Sequence, residues 1–472
     1  MSPEPPRPAG PPPGCPAHEA LHGPEFAADP AAVYRRLRRY GPIAPVELAP
    51  GVQASLVLGY EAALHVLRSP ETFSKDPRRW QDLADGTVPA DSPVVPMMMY
   101  RPNALWADGA EHRRLRGAIM DSLARVEPNT LRGYVETSAD TLVDRFAPAG
   151  KADLLGEYSQ VLPLLVFNHL FGCPAEYGER LVRGMSGIFD GVDAEQANEL
   201  LATTLFDLVA LKRRQPGQDV TSWLLAHPAG LTDEEMVHTL VLLMGAGTEP
   251  QQNLIANSLR LLLSDDRFAG DLSGGSLPVE DALDEVLWND PPMANYGVHY
   301  PLHDVVYEGV ALRPGRPIVI SFAAANNDPS LAADRRTGNR AHLAWSAGPH
   351  TCPAQGPARL IAAAAVEKLL DRLPDLELAV PAEDLLWRPG PFHRALAALP
   401  VAFPPAAVTG PGAGDGPPPA RRAPVTAAPA AGPATAPAAT APAAAAPAAA
   451  APAAAGAGRG LGSRLRGWWR GE

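Results

Sequence analysis

The chain is 472 residues long and 46% hydrophobic, with a formal net charge of -12 and a sequence pI of about 5.5. That length and apolar content supply the core of one large or two ordinary domains, whereas the acidic balance argues against nucleic acid as a partner. Three cysteines, Cys15, Cys173 and Cys352, are too few and odd in number for a disulfide framework and fit a reducing cytoplasm. The N-terminus lacks the apolar core of a secretory signal, and no run approaches the roughly 18 apolar residues of a membrane span.

Residues 1–16 are proline-rich and read as disordered. Asp29-Pro30 is an N-cap followed by a first-turn proline, so "AAVYRRLRRY" predicts a helix ending at Gly41. The runs "PIAPVEL" and "QASLVLG", separated by "APG", read as a β-hairpin, and "YEAALHVL" as a helix. Helical patterns dominate from about residue 108 to 375 without an internal repeat. Thr232 and Glu235 form a capping box that opens a long apolar helix running to about Ser264. Gly245, Gly247 and Pro250 are expected to interrupt it, since proline removes one backbone hydrogen bond and leaves the carbonyl of Ala246 without its helical donor. From 405 to 455 the composition turns to Ala, Pro and Gly, a disordered linker, and 456–472 is a basic, Trp/Arg-rich segment.

In "HLAWSAGPHTCPAQGPARL" a Gly/Pro-rich loop carries Cys352 to the start of an Ala/Leu-rich helix. A helix N-terminus favours thiolate, and a thiolate can ligate iron, although a single cysteine taken alone is as readily a small buried hydrophobe. The stretch closely resembles the haem-binding loop of the cytochrome P-450 family, aromatic-x-x-Gly-x-His-x-Cys, through Trp345, Gly348, His350 and Cys352. Three further stretches resemble that family in the right order. "DGAEHRRLRG" is similar to its propionate-binding segment, "LLMGAGTEP" to the oxygen-binding part of its central helix, and "DEVLWNDPP" to its Glu-x-x-Arg helix. The similarity runs from about 17 to 404.

The resemblance implies a mainly α fold with small β-sheets, a long central helix and a proximal Cys loop. It implies a haem b (iron protoporphyrin IX) whose iron is held by Cys352. His112, Arg116 and His350 match family positions that meet the propionates, and His299 occupies a further one that is usually Arg. As alternatives, His112 and Arg116 are a solvated helix face and His299 a turn residue. Ala246 and Gly247 would flank the cofactor. Glu249, Thr248 and Gln251 are the candidate catalytic residues, with a structural hydrogen bond from Glu249 to freed backbone as the other reading.

Two departures mark an atypical, soluble bacterial form. Pro250 replaces the family's oxygen-side threonine, which puts the proton relay in doubt. Trp288 replaces the arginine of Glu-x-x-Arg, which would leave Glu285 a buried carboxylate without its partner, at a cost of about 3 to 5 kcal/mol. Either Arg335, Arg336 or Arg340 pairs it, or it is protonated, or Trp288 fills the site by packing.

The function the resemblance implies is a haem-thiolate monooxygenase. It would oxidise a small organic, secondary-metabolite-like substrate with O2 and electrons from a ferredoxin and its reductase. The alternative is a weakly catalytic or non-catalytic haem-binding regulatory protein that docks partners. A cytoplasmic location follows, membrane-peripheral if the tail's arginines and tryptophans engage an anionic membrane or an acidic partner. "PMMMY" at 96–100 reads as an apolar ceiling over a pocket or as core.

Overall fold

The computed structural model describes residues 18–190, 194–265, 267–268, 279–331 and 338–408. The proline-rich start, the basic C-terminal segment, nearly all of the Ala/Pro linker, and Arg335 and Arg336 lie outside the described residues. The fold is mainly helical. A six-stranded sheet lies at one side, with strands β1 (Glu19–Ala20), β2 (Ile43–Ala49), β3 (Val52–Val57), β4 (Phe73–Ser74), β5 (Asn295–Pro301) and β6 (Ile318–Ser321) in the order β1-β2-β3-β6-β5-β4.

Local signals hold where they were strong. Asp29 caps the helix Pro30–Leu37 by accepting from the Ala32 amide, and the chain leaves through a 3-10 turn to Gly41 at φ +109°. The hairpin forms as β2 and β3 in antiparallel register, Ile43 opposite Val57. β3 then pairs in parallel with β6, Ser55 beside Ile318, so residues more than 250 positions apart share one sheet. β4 pairs with the end of β5, Phe73 opposite Pro301, which places the residue after β4, Lys75, near His299.

The helices Gly109–Leu123, Pro128–Phe146, Leu162–Leu170, Asp233–Ser264, Val279–Asn289 and Gln355–Arg372 enclose the principal core. A second core joins the N-terminal helix to the sheet and takes in Met98, fully buried; that methionine is core. Among the described residues no helix is long and apolar enough to cross a membrane.

The central helix, Asp233–Ser264, has 32 residues, so it spans roughly 48 Å at 1.5 Å per residue. Both bonds of the capping box form: Thr232 accepts from the Glu235 amide and Glu235 accepts from the Thr232 amide. The expected interruption does not occur, for the helix continues through Pro250. Its neighbours hold it there. Gln251 donates to the Ala358 carbonyl of Gln355–Arg372 at 3.0 Å, and the Phe167 ring lies so close that a Cβ on Gly247 would stand 2.3 Å from it.

Gly247→Ala therefore overpacks this contact, at a cost of about 1 to 3 kcal/mol, partly offset by about 1 kcal/mol of helix propensity. Its denaturation midpoint should fall, and Phe167→Leu in the same chain should restore it; equal midpoints for wild type and Gly247→Ala would refute the close approach.

Candidate functional site

The Cys352 loop is built by two 3-10 turns, Leu343–Trp345 and Gly348–His350. Its backbone closes through the Cys352 amide, which donates to the Trp345 carbonyl at 2.8 Å, and the Thr351 amide, which donates to Gly348 at 3.1 Å. Gly348 is required twice over. Its φ is +69°, and a Cβ there would sit 2.1 Å from the Leu67 carbonyl oxygen, so no other residue fits under the helix Tyr60–Arg68. Burial pushes the Cys352 thiol up, and the Ala354 amide and the Arg116 charge only partly oppose it. The expectation that the helix start alone would favour thiolate is thus reversed: Gln355 begins the helix three residues on, and desolvation wins. The sulfur needs a cation to become anionic.

Around this loop the fold gathers basic side chains from four separate segments. The His112 and His350 rings stack with centroids 3.9 Å apart. Arg116, one turn beyond His112, donates to the Thr351 carbonyl. His299 is buried in β5, and Lys75, which sequence reasoning missed, is buried after β4 with its ammonium 5.4 Å from the Trp106 ring centroid. Burial lowers the pKa of each of these five groups. It lowers Lys75 to about 7 with only Asp108 opposing, and His112 to about 4 with Arg116 and Lys75 adding repulsion. His299 and His350 are held well below their ordinary range by burial and then by Lys75, and Arg116 is lowered by burial too.

Asp108 is spent on the Ser74 hydroxyl and the Lys75 backbone amide. The His112 Nε2 is buried without a hydrogen-bond partner. Five basic groups with so little compensating negative charge suit a bound anion with more than one charge. Nothing local in the sequence marks Lys75; only the β4–β5 pairing brings it to His299.

The brace behind the loop is rearranged. Trp288 is buried and its indole N–H donates to the Asn339 carbonyl at 2.7 Å, while its ring meets His342 edge-on at 5.7 Å. It ties the helix Val279–Asn289 to the segment entering the Cys loop. Glu285 is not the partnerless buried carboxylate expected: its side chain is 28% exposed and accepts from Arg267 at 3.1 Å. The buried acid is its neighbour Asp284, which accepts from Arg340 Nε at 3.0 Å and from Arg359. Arg340 thus serves Asp284, four residues before Trp288 and on its helix face.

On the central helix, Gly245 and Ala246 are exposed at mid-length, and a Cβ on Gly245 would meet nothing within 4 Å. Gly247 instead faces Phe167. Thr248 is fully buried with its hydroxyl unpartnered. Glu249 accepts from Arg388 and lies 3.8 Å from His393 Nδ1. Burial raises its pKa, yet His393 and Arg388 outweigh that and hold the carboxyl below its usual range. Its partners are side chains, not freed backbone. Gln251 is committed to the Ala358 carbonyl.

Comparison with protein-family profiles gives no match. The chain is similar to the cytochrome P-450 monooxygenase PikC of Streptomyces venezuelae, 32% identical over 394 residues, which cover 80% of this chain and 92% of that protein. The chain belongs to the cytochrome P-450 family. It is also similar to the 2-hydroxy-5-methyl-1-naphthoate 7-hydroxylase of Streptomyces carzinostaticus, 31% identical over 391 residues, 79% of this chain and 95% of that protein. Among solved structures, CYP154A1 from Streptomyces coelicolor A3(2) superposes with a TM-score of 0.71 at 30% identity, over 82% of this chain and all of that one.

The family implies a haem-thiolate cofactor, and the residues present fit it. Cys352 presents a single thiol on its loop, which suits an iron whose other ligands a porphyrin brings. The basic cluster is suited to two propionates, and the exposed middle of the central helix offers a wall.

Two outcomes follow. In the haem-free protein Lys75 binds its proton more weakly than in the unfolded chain, so stability should rise with pH from about 7 to about 10.5. Lys75→Met should flatten that slope and weaken hemin binding by roughly tenfold or more; an unchanged hemin affinity would remove Lys75 from the site. Trp288→Phe should cost about 1 kcal/mol, for the Asn339 bond, against about 3 to 5 for Trp288→Ala, by chemical denaturation.

Proposed function

We propose that this cytochrome P-450 is a monooxygenase oxidising a small organic molecule of the secondary-metabolite kind, with dioxygen and electrons from a ferredoxin. The single observation that carries this reading is Cys352, half-buried on a glycine-dependent loop beside five basic groups with little compensating negative charge. Relatives named for hydroxylating a naphthoate, mycinamicin IV and 6-deoxyerythronolide B support the substrate class. The numerous matching chains, of which these are a few, support a soluble, cytoplasmic enzyme of bacterial type, one with Trp288 and Pro250 at two family motif positions.

Haem iron bound by a cysteinate supplies dioxygen activation, the thiolate favouring O-O cleavage. In this chain Cys352 provides the thiolate. Lys75, His112, Arg116, His299 and His350 would hold the propionates, and Arg116 also fixes the loop through Thr351. Gly245 and Ala246 leave the central helix bare at mid-length, and Gly247 lets Phe167 support that helix from behind. Glu249 is an ionised carboxylate in its pair with Arg388 and would take and pass on a proton. Pro250 has no hydroxyl to join it, and Gln251 is engaged elsewhere, so the unpartnered Thr248 hydroxyl is its neighbouring proton carrier on this helix. Gln251 positions the helix.

A second reading, haem binding with weak catalysis in a regulatory role, is favoured by one observation: Glu249 is held by Arg388 and His393 beside a proline.

The absorption spectrum of the reduced, carbon monoxide-bound protein reports thiolate ligation, and Cys352→Ala should abolish that signature. Glu249→Gln should lower ferredoxin-driven turnover by roughly 100-fold, as removal of a general acid does, and peroxide-driven turnover far less. Thiolate-ligated haem without ferredoxin-driven turnover on any of a broad set of small molecules would favour the second reading.

A further inference from the structure

A cavity of about 520 Å³ opens between the N-terminal helix Pro30–Leu37, the end of the helix Val279–Asn289 and the C-terminal segment 388–395. It is distinct from the Cys352 loop, since none of Lys75, His112, Arg116, His299, His350 or Cys352 lines it. Its volume is that of a small-molecule site.

The acids on its wall are already engaged. Asp29 caps the N-terminal helix, and Asp290 accepts from Arg394 and Arg260. Apart from Arg394, the cations keep donors that no carboxylate on this wall takes up. Arg35 has no carboxylate partner among the described residues, and Arg38 donates only to the carbonyls of Leu58, Ala324 and Asn327. Arg388 spends one nitrogen on Glu249 and leaves its Nε buried with no hydrogen-bond partner. His393 lies against the same carboxylate. Phe26, Ala27, Ala323 and Ala395 give the wall an apolar side, next to Tyr34, Asn289 and Asn327.

We propose that this cavity binds a small carboxylic acid with an apolar body, whose carboxylate competes with Glu249 for the Arg388 guanidinium. The displaced Glu249 carboxylate stays buried beside His393, so the exchange takes up one proton at that pair, which offsets the added negative charge and avoids the cost of a lone buried ion. The alanine-rich wall accepts the apolar body, and Arg38 stands by as a second anchor. Arg388 reaches from the cavity to the central helix, so occupancy releases Glu249. Binding is independent of the monooxygenase reading; only its consequence for proton delivery rests on that reading.

Calorimetric titration of the haem-loaded protein with hexanoate tests this, with hexanol and inorganic phosphate as comparison probes and the haem absorption followed in parallel. Hexanoate should bind without shifting the haem spectrum, and hexanol and phosphate should bind at least tenfold more weakly. Glu249→Gln removes the competing carboxylate and should tighten hexanoate at least tenfold. The double variant Glu249→Gln, Arg388→Gln, which leaves no buried charge unpaired, should bind it at least tenfold more weakly than wild type. Affinity unchanged or weakened by Glu249→Gln, a double variant that binds like wild type, phosphate or hexanol binding as well as hexanoate, or binding that shifts the haem spectrum would each overturn the proposal. Heat, not turnover, is read, so an inactive enzyme leaves the result intact.

Discussion

Burying Lys75, His112, Arg116, His299 and His350 against one another costs free energy that the chain's own carboxylates do not offset. Burial shifts each toward its neutral form, and for the three histidines cationic neighbours add to the shift. Such a cluster persists only where the surrounding fold over-determines it, and here it does: β4 and β5 pair across more than 200 residues to bring Lys75 to His299, and helix Gly109–Leu123 carries His112 and Arg116 to the loop. A bound group carrying a cation for the thiolate and anions for the bases would favour the charged forms that burial disfavours. The pocket is therefore completed by its cofactor in the electrostatic sense, and stability and loading are one equilibrium.

The loop that presents the sulfur is stiff for reasons independent of that charge. Gly348 tucks under Leu67, and Trp288 anchors Asn339 and His342 just upstream. Trp288 holds this segment by a hydrogen bond plus edge-on packing, without the desolvation of a further buried charge. The acids of this helix divide between two environments. Asp284, on the face of Trp288, takes Arg340 and Arg359, while Glu285 turns toward solvent and Arg267. The brace keeps its mechanical role with a different set of atoms.

Much of this was legible in the sequence because it depends on short-range rules. The Asp29 cap, the hairpin, the Thr232–Glu235 box and the glycine of the Cys loop each follow from a few adjacent residues. The Cys-loop and "DGAEHRRLRG" motifs point to Cys352, His350, His112 and Arg116, and a separate family position to His299; the structure places these residues around one loop. What escaped was set by long-range geometry. Lys75 has no local signature of burial; it belongs to the site only because β4 meets β5. Glu285 was taken for the buried acid through its motif position, whereas helical phase, a spacing of four from Trp288, selects Asp284. The role of Gly247 was assigned to the cofactor, but Phe167, 80 positions earlier in the chain, occupies that face.

Pro250 brings these strands of the problem to one place. A proline in a helix interior ordinarily costs about 3 kcal/mol, yet this helix runs through it unbroken because contacts on both sides fix the backbone: Phe167 behind Gly247, and Gln251 tied to Ala358. Those same contacts decide what is left for chemistry. Gln251 is consumed as an anchor, the hydroxyl at 248 is buried without a partner, and the one acid at this turn, Glu249, is clamped from the side of the 388–393 segment. The charge of Glu249 and its freedom to turn are therefore set not within the central helix but at its contact with the C-terminal segment, through Arg388 and His393.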